Sequence, residues 1–465
     1  MKRLILAALT ASALTSPVLA QRTAPPMPAI VDPQVTQLRD AALKVDTAWD
    51  IIEGLTTEVG QRLAGTEAEA RARTWAVAKL TTLGFKNVRV EPYRMPVWER
   101  GAETAEIIAP FPQKLTLAAL GNSGATPATG LTGEVVVFAN MAAFQAAPDN
   151  AIKGRIVYIG NAMPRTQDGS GYGAYGTARF VGPALASQRG AAAIIIRSIG
   201  TDHHRFPHTG TTDFPAGVKP IPAAALSVPD AEQLERIAAR GAPIRMKLVL
   251  TPRQVGMRES GNVIAEVPGS DPSAGIVLVG GHLDSWDLGT GAIDDASGIA
   301  ITAAAAKRIM DAGQPRRTIR VVWFGAEEVG GMGGAAYARA HAGERHATAS
   351  ESDFGADRVW RFEVNLPPAA KPVADRLQTA LAPLGITRGS GLGGDGTDIG
   401  PTLKLGTAAI DLNQSGWDYF DTHHTPDDVI DRIDPAALRQ NVAAWTAMLA
   451  VVANAPEAID AVKPR

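Results

Sequence analysis

The 465-residue chain contains no cysteine. That excludes disulfides, a thiolate nucleophile, cysteine zinc sites and iron–sulfur clusters, and leaves His, Asp and Glu to hold any metal. Histidine is itself scarce, with eight in the chain. There is no excess of positive charge: 45 Lys and Arg stand against 47 Asp and Glu, a net charge of −2. A nucleic-acid partner is therefore not expected, and nothing points to an anionic membrane surface. Beyond the N-terminus no run reaches ~20 uninterrupted apolar residues, so no transmembrane segment is expected in the mature chain. What is present is an ordinary globular composition, 45% hydrophobic. The chain is longer than a single core usually supports, which implies more than one domain.

The first twenty residues read as a secretory signal peptide. Lys2 and Arg3 precede an apolar stretch from Leu4, and Val18-Leu19-Ala20 offers small or permissive residues for cleavage near Ala20. The protein is expected to be exported, to the periplasm or the outside. Residues 21–130 carry helical apolar spacing from Val35 to about Leu55 and a second helix over Thr66–Leu83, with Thr66 as N-cap and Glu69 three residues on. Residues 131–250 change texture, with short β-type runs and Gly-rich stretches, and read as a small α/β module inserted in the chain. Thr251-Pro252-Arg253 reads as its exit linker. From Asn262 to the end the pattern alternates strand and helix, which implies an α/β fold with a mixed, mostly parallel sheet covered on both faces.

The polar residues fall at the ends of these strands, where open α/β sheets bind ligands. The run Ile276–Gly280 leads into His282 and Asp284, and Thr318–Phe324 into Glu327 and Glu328. The strand near residue 350 leads into Glu351-Ser352-Asp353, and Thr407–Leu412 is followed by His423 and His424. Asp294-Asp295 sits between the first strand and its helix. Two His with several carboxylates and no thiolate suit zinc or a similar divalent ion. A metal-bound His needs an acceptor for its other ring nitrogen, which Asp284 can supply. Adjacent Glu327 and Glu328 suit a division between general base and ligand. Each element alone has bland readings, a solvated turn or a helix N-terminus; their succession at strand ends is what points to a site.

The series His282-x-Asp284, Asp294-Asp295-x-x-Gly298, Glu327-Glu328, Glu351-Ser352-Asp353 and His424-Thr425-x-x-Asp428 resembles the M28 metallopeptidases. The runs Gly394–Pro401 and Tyr419–Pro426 are similar to the carboxypeptidase Q branch of that family. The resemblance implies a zinc-exopeptidase-like three-layer αβα catalytic domain, interrupted over 131–250 by a protease-associated-type insert and resumed over 251–465. It implies two Zn²⁺ ions per chain, with other divalent metals allowed. Asp294 would bridge them, His282 and Asp353 would complete one site, and Glu328 and His424 the other. Glu327 would be the general base and Asp284 the acid orienting His282, and the peptide bond Asp294–Asp295 would be cis.

The implied activity is removal of N-terminal residues from small peptides or cleavage of dipeptides, with homodimerisation allowed. Carboxypeptidase-type specificity, a non-catalytic peptide-binding member and a single-zinc glutaminyl cyclase are the competing readings. All five ligand positions being intact counts against the second. The insert and the His423-His424 match count against the third. His423 is left as a substrate contact or a packing residue. His203, His204 and His208 read as a solvated loop, with metal binding as the alternative.

Overall fold

The structure is a computed structural model that describes residues 30–394, 396–459 and 462–463. The expected signal peptide and Asp395 lie outside the described residues.

Two eight-stranded mixed sheets organise the chain. In the first, the strands run in the order 86–99, 253–267, 318–324, 276–282, 346–351, 408–414, 359–365 and 387–388. Its centre is parallel: Ile276–His282 pairs in parallel with both Thr318–Phe324 and His346–Glu351, and the latter with Ala408–Gln414. Side chains alternate across a strand, so a doubly covered strand is apolar throughout. Val277, Val279, Val321 and Trp323 face a core with the helices Thr47–Glu58, Ser297–Ala312 and Pro435–Asn454. Leu278, Val322 and Phe324 face the opposite layer, with Tyr337 and Leu403. Pro435–Asn454 is, among the described residues, the one helix long and apolar enough to cross a membrane, and it lies buried in the first of these cores.

Thr318–Phe324 forms over the expected span, and Thr66 caps its helix by accepting from the Glu69 amide at 3.2 Å. Other expectations shift. The first helical stretch breaks into Pro33–Ala42 and Thr47–Glu58. Arg253, expected in a linker, starts the 15-residue strand Arg253–Val267, which pairs antiparallel with Lys86–Glu99 from Lys86↔Glu266 to Glu99↔Arg253. This ribbon leads to the second sheet, whose strands lie in the order 113–115, 103–109, 244–250, 131–138, 156–159, 193–197, 223–226 and 117–119. The second sheet thus takes in strands from residue 103, ahead of the expected start at 131.

The second unit folds back against the first. Arg165 holds Asp418 at 2.8 Å and Asp421 at 2.7 Å, and the Thr201 hydroxyl donates to Asp421 at 2.7 Å. Arg100 pairs with Asp287 at 2.7 Å.

Candidate metal centre

Beyond the carboxyl ends of the central parallel strands, His282, Asp294 and Asp353 converge as one cluster of potential ligand atoms, and Asp294, Glu328 and His424 as another. Asp294 belongs to both. One of its oxygens, Oδ1, is 3.0 Å from His282 Nε2, which is 3.4 Å from Asp353 Oδ1. The other, Oδ2, is 3.2 Å from His424 Nε2, which is 2.7 Å from Glu328 Oε2. The strand Ile276–His282 delivers His282 at its last residue. Asp294 sits in a π-turn, Ala292–Ala296, ahead of the helix Ser297–Ala312, and the Asp294–Asp295 peptide bond is cis. Glu327 and Glu328 follow Ala326 in the chain, and both Ala326 (φ 59°) and His424 (φ 57°) adopt left-handed backbone. Non-glycine residues rarely do so, and such strain concentrates at functional sites.

The surroundings fix these groups. Asp295 accepts from the His282 amide and from the Gly298 amide, each at 3.0 Å. Asp428 accepts from the Ile293 amide at 2.7 Å and the Asp294 amide at 3.2 Å. Fully buried Arg62 donates to the carbonyls of Leu283, Thr290 and Gly291, tying together the two loops that carry His282 and Asp294. Asp284 departs from the arrangement expected of it. The His282 ring donates through Nδ1 to the Asp284 backbone carbonyl at 2.9 Å, while the Asp284 carboxylate, 3.8 Å from that nitrogen, accepts from the Glu327 amide at 3.2 Å.

The tautomers implied by these bonds test whether a cation fits. With Nδ1 of His282 donating to a carbonyl, Nε2 of the neutral ring is a bare lone pair facing two carboxylate oxygens. His424 repeats this: Nδ1 lies 3.2 Å from the Thr209 carbonyl, leaving Nε2 to face Asp294 and Glu328. Acceptors facing acceptors need a proton or a cation between them. Glu328 Oε1 is moreover buried without a hydrogen-bond partner.

Without a metal the site holds protons instead. Burial drives Glu328 up to about 8 and Asp353 up to about 7. His424 rises to about 10 although burial opposes it, because Glu328 and Asp294 outweigh that effect. Burial also works against His282, yet Asp353 and Asp294 carry it well above its ordinary value. The residues therefore fit one or more divalent cations held by oxygen and imidazole.

His423 is buried with Nε2 3.0 Å from Asp294 Oδ2, and burial and neighbouring His424 push it down to about 3, so it is neutral. His203 and His204 are exposed, as expected of a loop, but His208 is not. It is fully buried, stacks on His424 with centroids 5.1 Å apart, and donates from Nδ1 to the His423 carbonyl at 2.9 Å. Its Nε2 accepts from the Tyr172 hydroxyl at 3.1 Å. The reading of His208 as solvated fails because the second unit docks it onto the centre. The roles of Asp295 and Asp428 sat within the quoted motifs. Arg62 and Tyr172 carried no sequence signal of their own.

Glu327 shares a cavity of about 380 Å³ with Asp294, Glu328, Asp353, His423 and His424. A mixed α/β sheet whose strand ends collect two histidines, three carboxylates and a further Glu in one cleft defines a metallopeptidase, a hydrolase. Residues 262–449 match the model of peptidase family M28. The chain is 34% identical to carboxypeptidase Q of Bos taurus over 406 residues, 87% of this chain and 84% of that one. The crystal structure of a peptidase M28 precursor from Shewanella amazonensis SB2B superposes with a TM-score of 0.88 at 44% identity, covering 93% of this chain and 97% of that one. A zinc aminopeptidase from Bacillus subtilis shares the fold, with a TM-score of 0.63 at 20% identity over 90% of this chain and 97% of that one. The chain belongs to peptidase family M28.

Proposed function

We propose that the protein is an exported di-zinc exopeptidase that removes N-terminal residues from peptides or splits dipeptides. The observation that carries this reading is the pair of three-residue clusters sharing Asp294, with Glu327 on the same cavity wall. His282 and Asp353 would hold one zinc, Glu328 and His424 the other, and Asp294 both. Bound there, the metals would supply Lewis-acid polarisation of the scissile carbonyl and a more acidic water. Glu327 would take the proton from the attacking water and deliver it to the departing amine. The Asp284 carboxylate, by accepting from the Glu327 amide, would position that base rather than the His282 ring. The unit built on the second sheet is, on this reading, a protease-associated-type insert that covers the cleft. Lys2, Arg3 and the apolar run after them support export.

The names of similar proteins include both a carboxypeptidase and an aminopeptidase. The free-amine requirement therefore has to be measured, with free and N-blocked dipeptides and amino-acid anilides. The deciding experiment pairs elemental analysis with these assays on the purified protein. Two zincs per chain with chelator-sensitive release of N-terminal residues are expected. A protein that binds no metal and cleaves no substrate in the panel would overturn the reading. Replacing Glu327 by Gln should leave zinc content intact and lower kcat by about 10²–10⁴-fold.

A further inference from the structure

We propose that an acid-lined cavity on the flank of the first sheet receives the side chain of the residue on the amino side of the cleaved bond, and that it selects lysine or arginine there. This deepens the exopeptidase reading and rests on it.

The cavity is built around a row of carboxylates on three neighbouring strands. Glu363 and Asp411 face each other across the antiparallel pair Val359–Asn365 and Ala408–Gln414. On the other side, Ala409 is in parallel register with Ala349 of His346–Glu351, so two residues further on Glu351 comes beside Asp411 on the same face. Like charges in such cross-strand positions repel. Backbone amides of the glycine-rich run 389–400 hold the row in place. Gly391 donates to Glu363 at 3.0 Å, Gly394 to Asp411 at 2.6 Å, and Asp398 and Ile399 to Glu351 Oε2 at 3.0 and 2.9 Å. A Cβ at Gly391 would fall 2.5 Å from Glu363 Oε1, and one at Gly396 2.5 Å from Glu351 Oε2, so only glycine lets the backbone come this close.

Amide dipoles do not neutralise three charges. Glu351 is 8% exposed, and its second oxygen, Oε1, has no hydrogen-bond partner among the described residues. A buried carboxylate is costly without a cation. The one Lys or Arg on the cavity wall, Arg361, lies 3.6 Å from Glu363 and 4.5 Å from the centroid of the Trp360 ring. It therefore serves the end of the row farthest from Glu351. Asp168 of the second unit adds another carboxylate to the wall, and hydrogen bonds from the Ser170 hydroxyl and amide hold its carboxyl below its ordinary value, so it stays ionised.

The cavity holds about 620 Å³ and meets the one over the metal centre at Asp353 and Thr397. A side chain can therefore enter it from a bond held at that centre. The space suits a long stem with a terminal cation, as Lys and Arg have. Tyr172, Phe354 and Phe420 on the same wall offer apolar faces to the stem. The residue seated there is the one on the amino side, because a wall of carboxylates repels the free carboxylate at the other end of a short peptide.

The test compares Lys-Ala with norleucyl-Ala, which has the same carbon stem without the ammonium. In the wild-type zinc-loaded protein, kcat/KM for Lys-Ala should exceed that for norleucyl-Ala by at least about tenfold, and the ratio should fall as salt is raised. Asp411→Asn keeps an oxygen for the Gly394 amide and should shrink the ratio by at least about fivefold. Asp168→Asn, at an exposed position, should shrink it by about twofold. Equal kcat/KM for the two dipeptides in the wild type would overturn the proposal without reference to any variant. Calorimetry supplies a readout free of turnover: Lys-Ala should bind the Glu327→Gln protein at least about tenfold more tightly than norleucyl-Ala does. Equal affinities there would also overturn it. Absence of hydrolysis of every substrate by the wild type would instead strike the exopeptidase reading, with the calorimetric comparison still deciding whether the cavity takes a cationic side chain.

Discussion

The two histidine-centred halves of the metal centre look alike and are built differently. His282 ends a core strand, and its ring is held by a carbonyl two residues away in its own loop. His424 sits on a loop in left-handed backbone, and its ring is held by Thr209, a residue of the other unit. His208, also from that unit, stacks on it. One half is therefore complete within the first sheet. The other depends on the docking of a second folded unit for the tautomer that exposes its Nε2. Partners of this kind commonly matter about as much to metal affinity as a weak ligand does, so the two halves should respond differently to the same perturbation.

The largest effect should come where the halves meet. Asp294→Ala removes the shared carboxylate and should strip metal from both halves, with elemental analysis near zero and activity lost. If one full equivalent remained, the halves would be independent and Asp294 would not bridge them. Loosening the docking should separate them. Asp421→Ala removes a partner shared by Arg165 and Thr201, and should weaken one of the two proposed zinc equivalents by about tenfold in a chelator competition while leaving the other within twofold. Equal weakening of both would contradict the asymmetry.

Acidification is the mildest probe. The proposed ligands must give up protons to bind metal, and the metal-free groups with raised values keep theirs to higher pH: His424 to about 10, Glu328 to about 8 and Asp353 to about 7. As pH falls, more protons must be displaced, so zinc affinity should drop by at least about tenfold between pH 8 and pH 6, and the rise in Tm on adding zinc should shrink in parallel. Affinity that is flat across this range would mean the ligands are already deprotonated without metal.

The same asymmetry explains what could be read from the sequence. Site residues carried by the central parallel strands announce themselves because a buried parallel strand is a short apolar run, and a polar residue directly after it must lie at the sheet edge. His282 after Ile276–Gly280 and Glu327-Glu328 after Thr318–Phe324 are of this kind. The antiparallel strand Val359–Asn365, half-exposed and carrying Trp360, Arg361 and Glu363, offers no such run and was not legible. Neither was Arg253–Val267, whose first half is exposed and interrupted by Gly256. His208 and Thr209 lie more than 200 residues from His424 in the chain, and nothing local marks them as its partners. Their place depends on how two separately packed sheets meet, which periodicity does not encode. The Asp284 carboxylate shows a smaller limit. Spacing placed it beside His282, but not whether its backbone or its side chain would take the ring proton.

The long ribbon between Lys86–Glu99 and Arg253–Val267 has an engineering consequence. Glu99 and Arg253 face each other as its last paired residues, close enough for a two-residue turn to join them. Such a splice would delete the second unit as a cassette and leave an ordinary β-hairpin at the edge of the first sheet. It would also leave every proposed metal ligand in the chain. The shortened protein would carry every proposed ligand without Thr209 or His208, and so would ask of a single molecule how much of a metal centre one sheet can hold together alone.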